Sequence, residues 1–538
     1  MSMMEGFTGW PETRARTYRE RGYWKGRTLG SALHETALTT PDAVALVDGG
    51  RRWSYADLDL AADRQAAGLY RLGLRAGDRV LVQMPNSAEF VVLSFALFRL
   101  GAVPVMALPA HREADLRHLA DLSEAVAFAV ADTHAGFDYL PLARTLLDRA
   151  PSLEHVLVHG DAAEFTDLAE VYADREPPAG PAASDVALLL LSGGTTGAPK
   201  LIPRTHDDYL YNATASARVA GVDAHTRYLA VLPVAHNFPL ACPGILGTLF
   251  SGGTVVLCPH PSPDAAFPLI AAERVTSTAL VPSLVLLWLE AVEWSDDDLS
   301  SLDLLQVGGA KLKSEVAVRV APALGCRLQQ VFGMAEGLVN YTRLDDPEDL
   351  VLHTQGRPLS PDDEVRVVGP DGAEAAAGEI GELQVRGPYT LCGYYRAEEH
   401  NATAFTEDGF FRSGDLVRRL PSGHLVVEGR TKEVINRAGE KIPVEEVEND
   451  LLSLPAVSDV ALLPLPDASL GERSCACLIV QGEPPTYAEV SAHLRGRGLA
   501  RFKIPDEVRV LRALPRTPLG KVDKNALLRQ LSAHEQAL

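Results

Sequence analysis

A segment rich in glycine and hydroxyl residues, LSGGTTGAPK at residues 191–200, directly follows the apolar run VALLLL. Glycines let backbone amides approach an anion closely, hydroxyls add hydrogen-bond donors, and Lys200 supplies a positive charge. The segment therefore predicts a loop that binds phosphate groups. It differs from the GxxxxGK[ST] loop of kinase-type enzymes, because Pro199 precedes Lys200 and Leu201 follows it.

Four further motifs follow the loop: FGMAE at residues 332–336, RSGD at 412–415, GRTKE at 429–433 and PRTPLGK at 515–521. Taken alone, each has an ordinary structural explanation, such as a turn or a solvated lysine. As an ordered set with the loop, they resemble the acyl-adenylate-forming enzymes, which include acyl-CoA synthetases, luciferases and adenylation domains of peptide synthetases. The resemblance implies that a carboxylate attacks the α-phosphate of ATP and pyrophosphate leaves. Because the nucleophile is already an anion, such a site needs positioning and charge neutralisation rather than a general base.

The resemblance gives each motif a part in this reaction. It implies that Glu336 binds Mg²⁺, a hard cation that prefers carboxylate oxygens. It implies that Lys521 contacts both the substrate carboxylate and the α-phosphate, which suits a compact point charge. Asp415 has two acceptor oxygens for the ribose diol, and Arg430 adds a contact to ribose or phosphate. The implied ATP-binding residues are Ser192, Gly193, Gly194, Thr195, Thr196, Gly197, Lys200, Gly309, Gln330 (at the adenine amino group), Phe332 (against adenine), Gly333, Asp415 and Arg430.

The segment VAHNFPLACPG at residues 234–244 narrows the resemblance to the stand-alone aryl-acid ligases, which activate salicylate or 2,3-dihydroxybenzoate for siderophore-type assembly lines. Amino-acid-activating members have an aspartate that pairs with the substrate ammonium, whereas Asn237 offers a neutral amide that suits an ortho-hydroxyl. The resemblance implies that His236 is catalytic, beside the aryl carboxylate or the phosphate. The other implied substrate contacts are Phe238, Cys242, Gly308, Gly309, Val331, Val339 and Lys521.

Cys242 departs from the dihydroxybenzoate enzymes, which resemble this segment but have serine at the same place. A thiol is a weak donor and acceptor, so a buried 3-hydroxyl beside it would lose a good partner at a cost of about 1–3 kcal/mol. Cys242 therefore favours salicylate. Because apolar pockets reject an extra methyl group only weakly, 6-methylsalicylate is a candidate as well. The alternative is 2,3-dihydroxybenzoate.

The second half-reaction that the resemblance implies is attack of a phosphopantetheine thiol on the aryl-AMP, which forms a thioester. Because the chain contains no carrier-protein sequence, we expect a separate aryl carrier protein as the partner. Free CoA is the alternative acceptor. Two other hypotheses are a silent sensor of aryl-adenylates, which the retained Glu336 and Lys521 disfavour, and a kinase, which would release ADP.

The elements that must position these residues follow from patterns along the 538 residues. Between about residues 30 and 330, buried strand-like runs alternate with helical patterns, which predicts α/β layers. Short alternating runs separated by turn residues predict a small β-rich unit at about residues 356–430. We therefore expect the α/β class: an N-terminal body (1–431) of two α/β subdomains and a small β-barrel-like subdomain, and a mobile α+β lid (432–538). The resemblance places the hinge at Lys432.

Composition limits the partners. Lys and Arg total 50 and Asp and Glu total 71, and the resulting net charge of −21 disfavours nucleic acid. No apolar run reaches the roughly 18 residues that span a bilayer, and the N-terminus lacks the pattern of a signal peptide, so we expect a cytoplasmic protein without a membrane partner. Carrier proteins are commonly acidic, so we predict a basic docking patch on the lid, formed by Arg495, Arg497, Arg501 and Lys503.

Overall fold

The computed structural model describes residues 4–174, 179–192, 199–430, 434–437, 440–467, 470–497, 499, 501–517 and 520–535. The chain separates into two units. Unit 1 comprises Met1–Glu364 and Val385–Phe411, and unit 2 comprises Val365–Gln384 and Arg412–Leu538.

Helices and strands alternate in the first part of the chain. The helix predicted by YADLDLAADRQAAGLYRLG begins after Ser54, where Ser54 and Asp57 cap each other's backbone N–H groups, and it ends at Gly73, whose φ is +122°. The elements are α1 (Glu12–Glu20), α2 (Leu29–Thr39), β1 (Val44–Asp48), β2 (Arg51–Ser54), α3 (Tyr55–Leu72), β3 (Arg79–Gln83), α4 (Ala88–Leu100), β4 (Val103–Met106), α5 (Glu113–Ser123), β5 (Ala127–Ala131), β6 (Thr133–His134), β7 (Phe137–Asp138), α6 (Leu140–Arg149), β8 (His155–His159) and β9 (Thr166–Asp167).

The middle of the chain continues the alternation and contains most of the predicted site. Its elements are β10 (Val186–Leu191), β11 (Leu201–Thr205), α7 (His206–Val219), β12 (Arg227–Ala230), α8 (Asn237–Ala241), α9 (Gly244–Phe250), β13 (Thr254–Leu257), α10 (Pro263–Glu273), β14 (Ser277–Leu280), α11 (Pro282–Ala291), β15 (Leu304–Val307), α12 (Ser314–Leu324), β16 (Arg327–Gly333), β17 (Val339–Tyr341), α13 (Glu348–His353) and β18 (Arg357–Pro358).

The last part of the chain is richer in antiparallel strands. Its elements are β19 (Glu364–Val368), β20 (Ile380–Arg386), α14 (Glu398–Ala404), β21 (Phe411–Arg419), β22 (Leu425–Arg430), β23 (Val434–Arg437), β24 (Glu440–Pro443), α15 (Val444–Leu452), β25 (Val457–Asp467), β26 (Gly471–Val480), α16 (Tyr487–Gly496), β27 (Glu507–Val510) and α17 (Lys524–Glu535).

Unit 1 is built on two large sheets. The nine-stranded sheet has the order β18-β17-β16-β15-β14-β12-β13-β1-β2, and its strands from β16 to β1 run parallel. The seven-stranded sheet has the order β11-β10-β4-β3-β5-β8-β9, with β11 antiparallel at one edge. Strands such as β5 and β15 are buried along their whole length, as expected for parallel strands covered by helices on both faces. In such sheets, ligands bind beyond the carboxyl ends of the parallel strands.

The predicted β-rich segment forms a four-stranded sheet in the order β19-β20-β21-β22, most of whose residues belong to unit 2. Unit 2 also contains a five-stranded sheet in which β27 pairs with β26 beside the path β24-β23-β26-β25. Apolar side chains from α15 and α16 form one core against this sheet, and side chains from α17 form another. The predicted α/β class, with a large N-terminal body and a smaller C-terminal domain, is confirmed.

Lys432, the predicted hinge, lies outside the described residues, so the hinge and the boundary at residues 431–432 stay predictions. Within the described part of the chain, no helix is both long enough and apolar enough to cross a membrane.

Candidate active site

Two antiparallel strands hold the base of the glycine-rich loop in unit 1. Leu191 at the end of β10 pairs with Leu201 at the start of β11. Ser192 N donates to Lys200 O at 2.9 Å, and Lys200 N donates to Ser192 Oγ at 3.0 Å, so the serine side chain helps to close the loop. The predicted phosphate contacts of the loop itself fall on residues 193–198, outside the described residues: Gly193, Gly194, Thr195, Thr196 and Gly197.

Lys200 and Glu336 approach each other around Tyr394. The Lys200 ammonium nitrogen lies 5.9 Å from the centroid of the Tyr394 ring, and Tyr394 OH donates to Glu336 Oε1 at 2.8 Å. The backbone carbonyl of Glu336 accepts from Leu391 N at 2.8 Å, which fixes the segment that carries the carboxylate. The structure therefore brings together the cation of the first motif and the carboxylate of the second.

The Glu336 carboxylate fits a Mg²⁺ site that phosphate and water would complete. Tyr394 OH donates a hydrogen bond to its side chain, which helps to orient the carboxylate. Among the described residues, no group of three or more His, Cys, Asp or Glu side chains could hold a metal ion. One carboxylate together with substrate phosphates is a common way for a protein to bind Mg²⁺.

A tight hairpin between β16 and β17 presents the FGMAE segment. Phe332 is half-buried, and its carbonyl accepts from Asn340 Nδ2 on the paired strand at 3.0 Å. Gly333, which is exposed, lies opposite Val339. At Gly337 the backbone has a φ of +117°, and a Cβ there would lie 2.4 Å from Thr390 Cα. Only glycine fits at this position, and the conformation of Gly337 allows the chain to turn from β16 into β17.

Two other predicted ATP contacts lie on or just after the neighbouring parallel strands β15 and β16. Gly309 follows β15 with a φ of +81° and is exposed. Gln330 on β16 is 1% exposed, and its Nε2 donates to the carbonyl of Val351 at 2.5 Å. The Gln330 side chain is thus committed to protein contacts, and its contact with the adenine amino group stays a prediction.

The predicted acid pocket begins where β12 ends. His236 caps the short helix α8 by accepting a hydrogen bond from Phe238 N on Nδ1 at 3.2 Å. A neutral imidazole whose Nδ1 accepts a hydrogen bond has its proton on Nε2. Nε2–H is then the group of His236 that can donate to an anionic oxygen.

The flat part of the predicted pocket is enclosed by Phe238, Gly308 and Val331. A Cβ on Gly308 would lie 3.0 Å from the Phe238 ring and 2.9 Å from the Val331 carbonyl, so any larger side chain would displace the ring or the strand. Val339 is 1% exposed, and its N–H donates to Tyr389 OH at 3.1 Å. The structure brings Phe238, Gly308 and Val331 together, and their contact with the aryl acid, like that of Val339, stays a prediction.

Asn237 and Cys242 belong to a buried polar network that includes two residues not singled out from the sequence. Tyr209 OH donates to Asn237 Oδ1 at 2.8 Å, and Asn237 Nδ2 lies 3.5 Å from Cys242 Sγ. Asn212 Nδ2 donates to the carbonyl of Ala241 at 2.7 Å and lies 3.8 Å from the same sulfur. Burial raises the pKa of the Cys242 thiol to about 11, so it is protonated near neutral pH.

Arg204 on β11 lies beneath this network and is fully buried. Its Nε donates to Asp208 Oδ1 at 2.7 Å, and its Nη1 donates to the carbonyl of Ala335 at 3.0 Å. The guanidinium carbon is 4.8 Å from the centroid of the Tyr209 ring. Arg204 therefore contacts both the acid-pocket network and the residue next to Glu336. In the sequence, Arg204 is visible only as an arginine in a mostly apolar strand with an aspartate four residues later. This weak pattern does not predict the distant partners Tyr209 and Ala335.

Unit 2 contains a second group of predicted residues. Asp415 on β21 lies opposite Arg430 on β22, and Arg430 Nε donates to Asp415 Oδ1 at 2.9 Å. Burial raises the pKa of Asp415, while the positive charges of Arg430 and Lys521 oppose this rise. Lys521 is exposed, on a turn in which Thr517 N donates to the Lys521 carbonyl at 2.7 Å.

The predicted basic patch of unit 2 is partly neutralised within the unit. Arg497 is paired with Asp450, and Lys503 Nζ lies 2.6 Å from Glu446 Oε2. The other two members, Arg495 and Arg501, are exposed, and Arg495 Nη2 donates to the hydroxyl of Ser491 at 2.9 Å.

Two family models match the chain. The model described as "AMP-binding enzyme" covers residues 33–395, and the model described as "AMP-binding enzyme C-terminal domain" covers residues 446–521. A 2,3-dihydroxybenzoate-AMP ligase of Bacillus subtilis is 53% identical over 530 residues, covering 98% of this chain and 98% of that protein. A salicyl-AMP ligase / salicyl-S-ArCP synthetase of Mycobacterium tuberculosis is 53% identical over 536 residues, covering 98% of this chain and 94% of that protein.

A solved structure agrees with these matches. The apo structure of Mycobacterium smegmatis MbtA is 52% identical in sequence and superposes with a TM-score of 0.77, covering 98% of this chain and 99% of that chain. The similarity therefore extends over nearly the whole sequence. The protein belongs to the AMP-binding enzyme family, as an adenylate-forming ligase of the aryl-acid type.

Proposed function

We propose that the protein activates salicylate, or a ring-methylated salicylate such as 6-methylsalicylate, and transfers it to the phosphopantetheine thiol of an aryl carrier protein. In the first step a carboxylate oxygen attacks the α-phosphorus of ATP, the bond to the bridging oxygen breaks, and pyrophosphate leaves with the electron pair. In the second step the thiolate attacks the acyl carbon of the aryl-AMP, AMP leaves, and a thioester forms. The family and the names of the relatives support this type of reaction.

The surroundings of Cys242 are the observation that favours salicylate over 2,3-dihydroxybenzoate. Its sulfur faces the amide nitrogens of Asn237 and Asn212 at 3.5 and 3.8 Å, and the residue is 3% exposed. Both amides are donors, so the sulfur accepts from them, and the Tyr341 hydroxyl is a further hydrogen-bonding neighbour of the thiol. The S–H is a weak donor for a hydroxyl of the substrate. A 3-hydroxyl on the substrate would be buried beside a weak partner, whereas salicylate has no group to satisfy there.

The remaining side chains neutralise and position the reacting anions. The Nε2–H of His236 donates to an oxygen of the substrate carboxylate or the α-phosphate. Lys200 compensates the charge of the outer phosphates, while Lys521 contacts the attacking carboxylate and the α-phosphate. Each places positive charge or a hydrogen-bond donor where negative charge is concentrated during the transfer.

Glu336 is the residue that would hold Mg²⁺, and Tyr394 orients its carboxylate. The metal ion supplies charge neutralisation on the phosphate oxygens when it is bound. Asp415 holds the ribose diol. Burial raises the pKa of its carboxyl, and the positive charge of Arg430 opposes this rise because it favours the anion.

Residues 432–538 act as a lid that turns about Lys432 between the two half-reactions, and the carrier protein docks on the basic side of this lid. Because Arg497 and Lys503 are already paired with carboxylates, the docking charge is supplied chiefly by Arg495 and Arg501. Charge reversal at these two arginines should raise the KM for the carrier protein without changing pyrophosphate exchange.

The decisive experiment is ATP–pyrophosphate exchange with a panel of aryl acids, combined with identification of the products. We expect AMP and pyrophosphate as products and the highest kcat/KM for salicylate or 6-methylsalicylate. A preference for 2,3-dihydroxybenzoate would contradict the choice of acid, and release of ADP would contradict adenylation altogether. The acceptor is tested by comparing thioester formation on free CoA with that on a phosphopantetheinylated aryl carrier protein. A higher kcat/KM for CoA would show that CoA, and not the carrier protein, is the acceptor.

A further inference from the structure

The hydroxyl of the fully buried Tyr209 makes one hydrogen bond among the described residues, and its partner is Asn237, which is predicted to contact the aryl acid. The Tyr209 hydroxyl donates to Asn237 Oδ1 at 2.8 Å, and no other acceptor for it is found in the described part of the chain. Burial raises the pKa of Tyr209 well above its usual value, so the hydroxyl keeps its proton and acts as a donor. A flipped Asn237 would place an N–H group against this donor and leave the phenolic proton buried without an acceptor.

The position of Tyr209 is itself fixed by its surroundings. Its ring lies against the guanidinium of Arg204, at 4.8 Å from the ring centroid, and Arg204 is held by its ion pair with Asp208. Asp208 in turn accepts hydrogen bonds from both the backbone N–H and the hydroxyl of Thr205, at the start of α7. The phenol therefore cannot follow Asn237 if the amide turns.

The other side of the Asn237 amide agrees with the same orientation. Asn237 Nδ2 lies 3.5 Å from Cys242 Sγ, where the sulfur can accept one of its two hydrogens. The second hydrogen on Nδ2 is not used by any residue that the structure describes. With Oδ1 engaged by Tyr209, Asn237 offers a donor, rather than an acceptor, to a group that enters the pocket.

We propose that Tyr209 is a positioning residue that makes the acid pocket select ortho-hydroxy over ortho-amino aryl acids, by holding Asn237 with its NH₂ group available to the substrate. This inference rests on the proposed function. In salicylate the ortho-hydroxyl can donate its proton to the neighbouring carboxylate and accept from Asn237 with its oxygen. In anthranilate one amino hydrogen can donate to the carboxylate, but the second would point at the NH₂ of Asn237. The nitrogen lone pair is delocalised into the ring, so the amino group is a poor acceptor. Two donors would then face each other.

The test compares the unmodified enzyme, Tyr209→Phe and Tyr55→Phe in pyrophosphate exchange with salicylate, benzoate and anthranilate. Tyr55 is the matched control because it is also fully buried in unit 1, and its hydroxyl bonds to the carbonyls of Leu249 and Gly253. In Tyr209→Phe the amide can turn its oxygen toward the substrate. We expect the ratio of kcat/KM for salicylate to that for anthranilate to fall roughly 5- to 150-fold, the range for one buried unsatisfied donor. The KM for ATP should not change.

Three outcomes have distinct meanings. An unchanged salicylate-to-anthranilate ratio in Tyr209→Phe, or an equal loss with all three acids, would overturn the inference, because a merely structural role lowers every activity together. A change of the ratio in Tyr55→Phe as large as that in Tyr209→Phe would overturn it as well. Absence of exchange with every aryl acid in the unmodified enzyme would instead contradict the proposed function.

A second variant keeps the test valid if Tyr209→Phe fails to fold. Asn237→Asp replaces the amide with a group that has only acceptor oxygens, while Tyr209 can still donate to one of them. We expect the other oxygen to accept from an ortho-amino group, so the variant should prefer anthranilate to salicylate. A variant that folds and still prefers salicylate by the original ratio would overturn the inference.

Discussion

Replacement of Cys242 by serine should move the enzyme's preference toward 2,3-dihydroxybenzoate. The sulfur lies 3.5 Å from Asn237 Nδ2 and 3.8 Å from Asn212 Nδ2, and both nitrogens are donors. A serine oxygen at this place can accept from these amides and still use its own proton for the substrate's 3-hydroxyl. The change therefore provides the donor that the thiol supplies poorly.

The size of the effect follows from the cost of a buried, unsatisfied hydroxyl. That cost is about 1–3 kcal/mol, and each 1.4 kcal/mol corresponds to a factor of about ten. We expect the ratio of kcat/KM for 2,3-dihydroxybenzoate to that for salicylate to rise roughly 5- to 150-fold in Cys242→Ser. Activity with salicylate itself should fall much less, because salicylate places no hydroxyl at this position.

Pyrophosphate exchange with the two acids measures this ratio directly. Cys258→Ser is a suitable control, since Cys258 is a buried cysteine of the same unit whose sulfur already donates to the carbonyl of His260 at 2.9 Å. The same chemical change there should leave the ratio untouched. If Cys242→Ser folds and its ratio stays within twofold of the parent enzyme, the sulfur does not determine the acid, and the argument for salicylate fails.

Three further predictions concern other parts of the protein. Lys521→Ala should lower the rate of adenylation by about 10²–10³-fold, because it removes a charge that stabilises the transition state. Transfer from added aryl-AMP should continue. Single-turnover measurements of the two steps would contradict this prediction if both rates fell equally. Tyr394→Phe removes the hydrogen bond to Glu336 and should raise the Mg²⁺ concentration needed for half-maximal exchange, with little change in the KM for the acid. Asp363 is half-buried with its Oδ1 shielded from solvent, and burial raises the pKa of its carboxyl to about 7, so the folded state holds a proton that the unfolded state loses above about pH 4. The free energy of unfolding should therefore fall as pH rises from about 4 to 7, by at most about 1.4 kcal/mol per pH unit, and Asp363→Asn should flatten this dependence in urea titrations.

Local patterns in the sequence were sufficient for most of the fold. The run VALLLL is β10, the amphipathic segment after Ser54 is α3, and VEEVENDLLSL contains α15. Each of these depends on hydrophobic periodicity and capping, which neighbouring residues determine. The turn residues Pro-Asp-Gly at 370–372 within the predicted β-rich segment do form a turn, across which Gly369 N donates to the Ala373 carbonyl.

The supporting residues of the site could not be found in this way. Tyr209 and Asn237 are 28 residues apart, while Tyr394 and Glu336 are 58 residues apart. Such contacts result from the packing of separate elements, and no local pattern distinguishes these tyrosines from ordinary core residues. The same reason explains the basic patch, whose members Arg497 and Lys503 find acidic partners 47 and 57 residues away in the chain.

The buried pair of Arg204 and Asp208 connects the two halves of the candidate site in unit 1. Both side chains have 0% exposure, and such a pair contributes little net stability, because removing two charges from water offsets most of their attraction. Its contacts suggest a different reason for its presence. Arg204 supports the ring of Tyr209, which orients Asn237 in the acid pocket, and it also bonds the carbonyl of Ala335, which precedes the Glu336 carboxylate. A rigid, planar cation can hold both groups at once, whereas apolar residues of similar size would leave each of them without its partner. We infer that this charge is kept because it positions the predicted acid pocket and the predicted Mg²⁺ ligand relative to one another, and not because it adds stability.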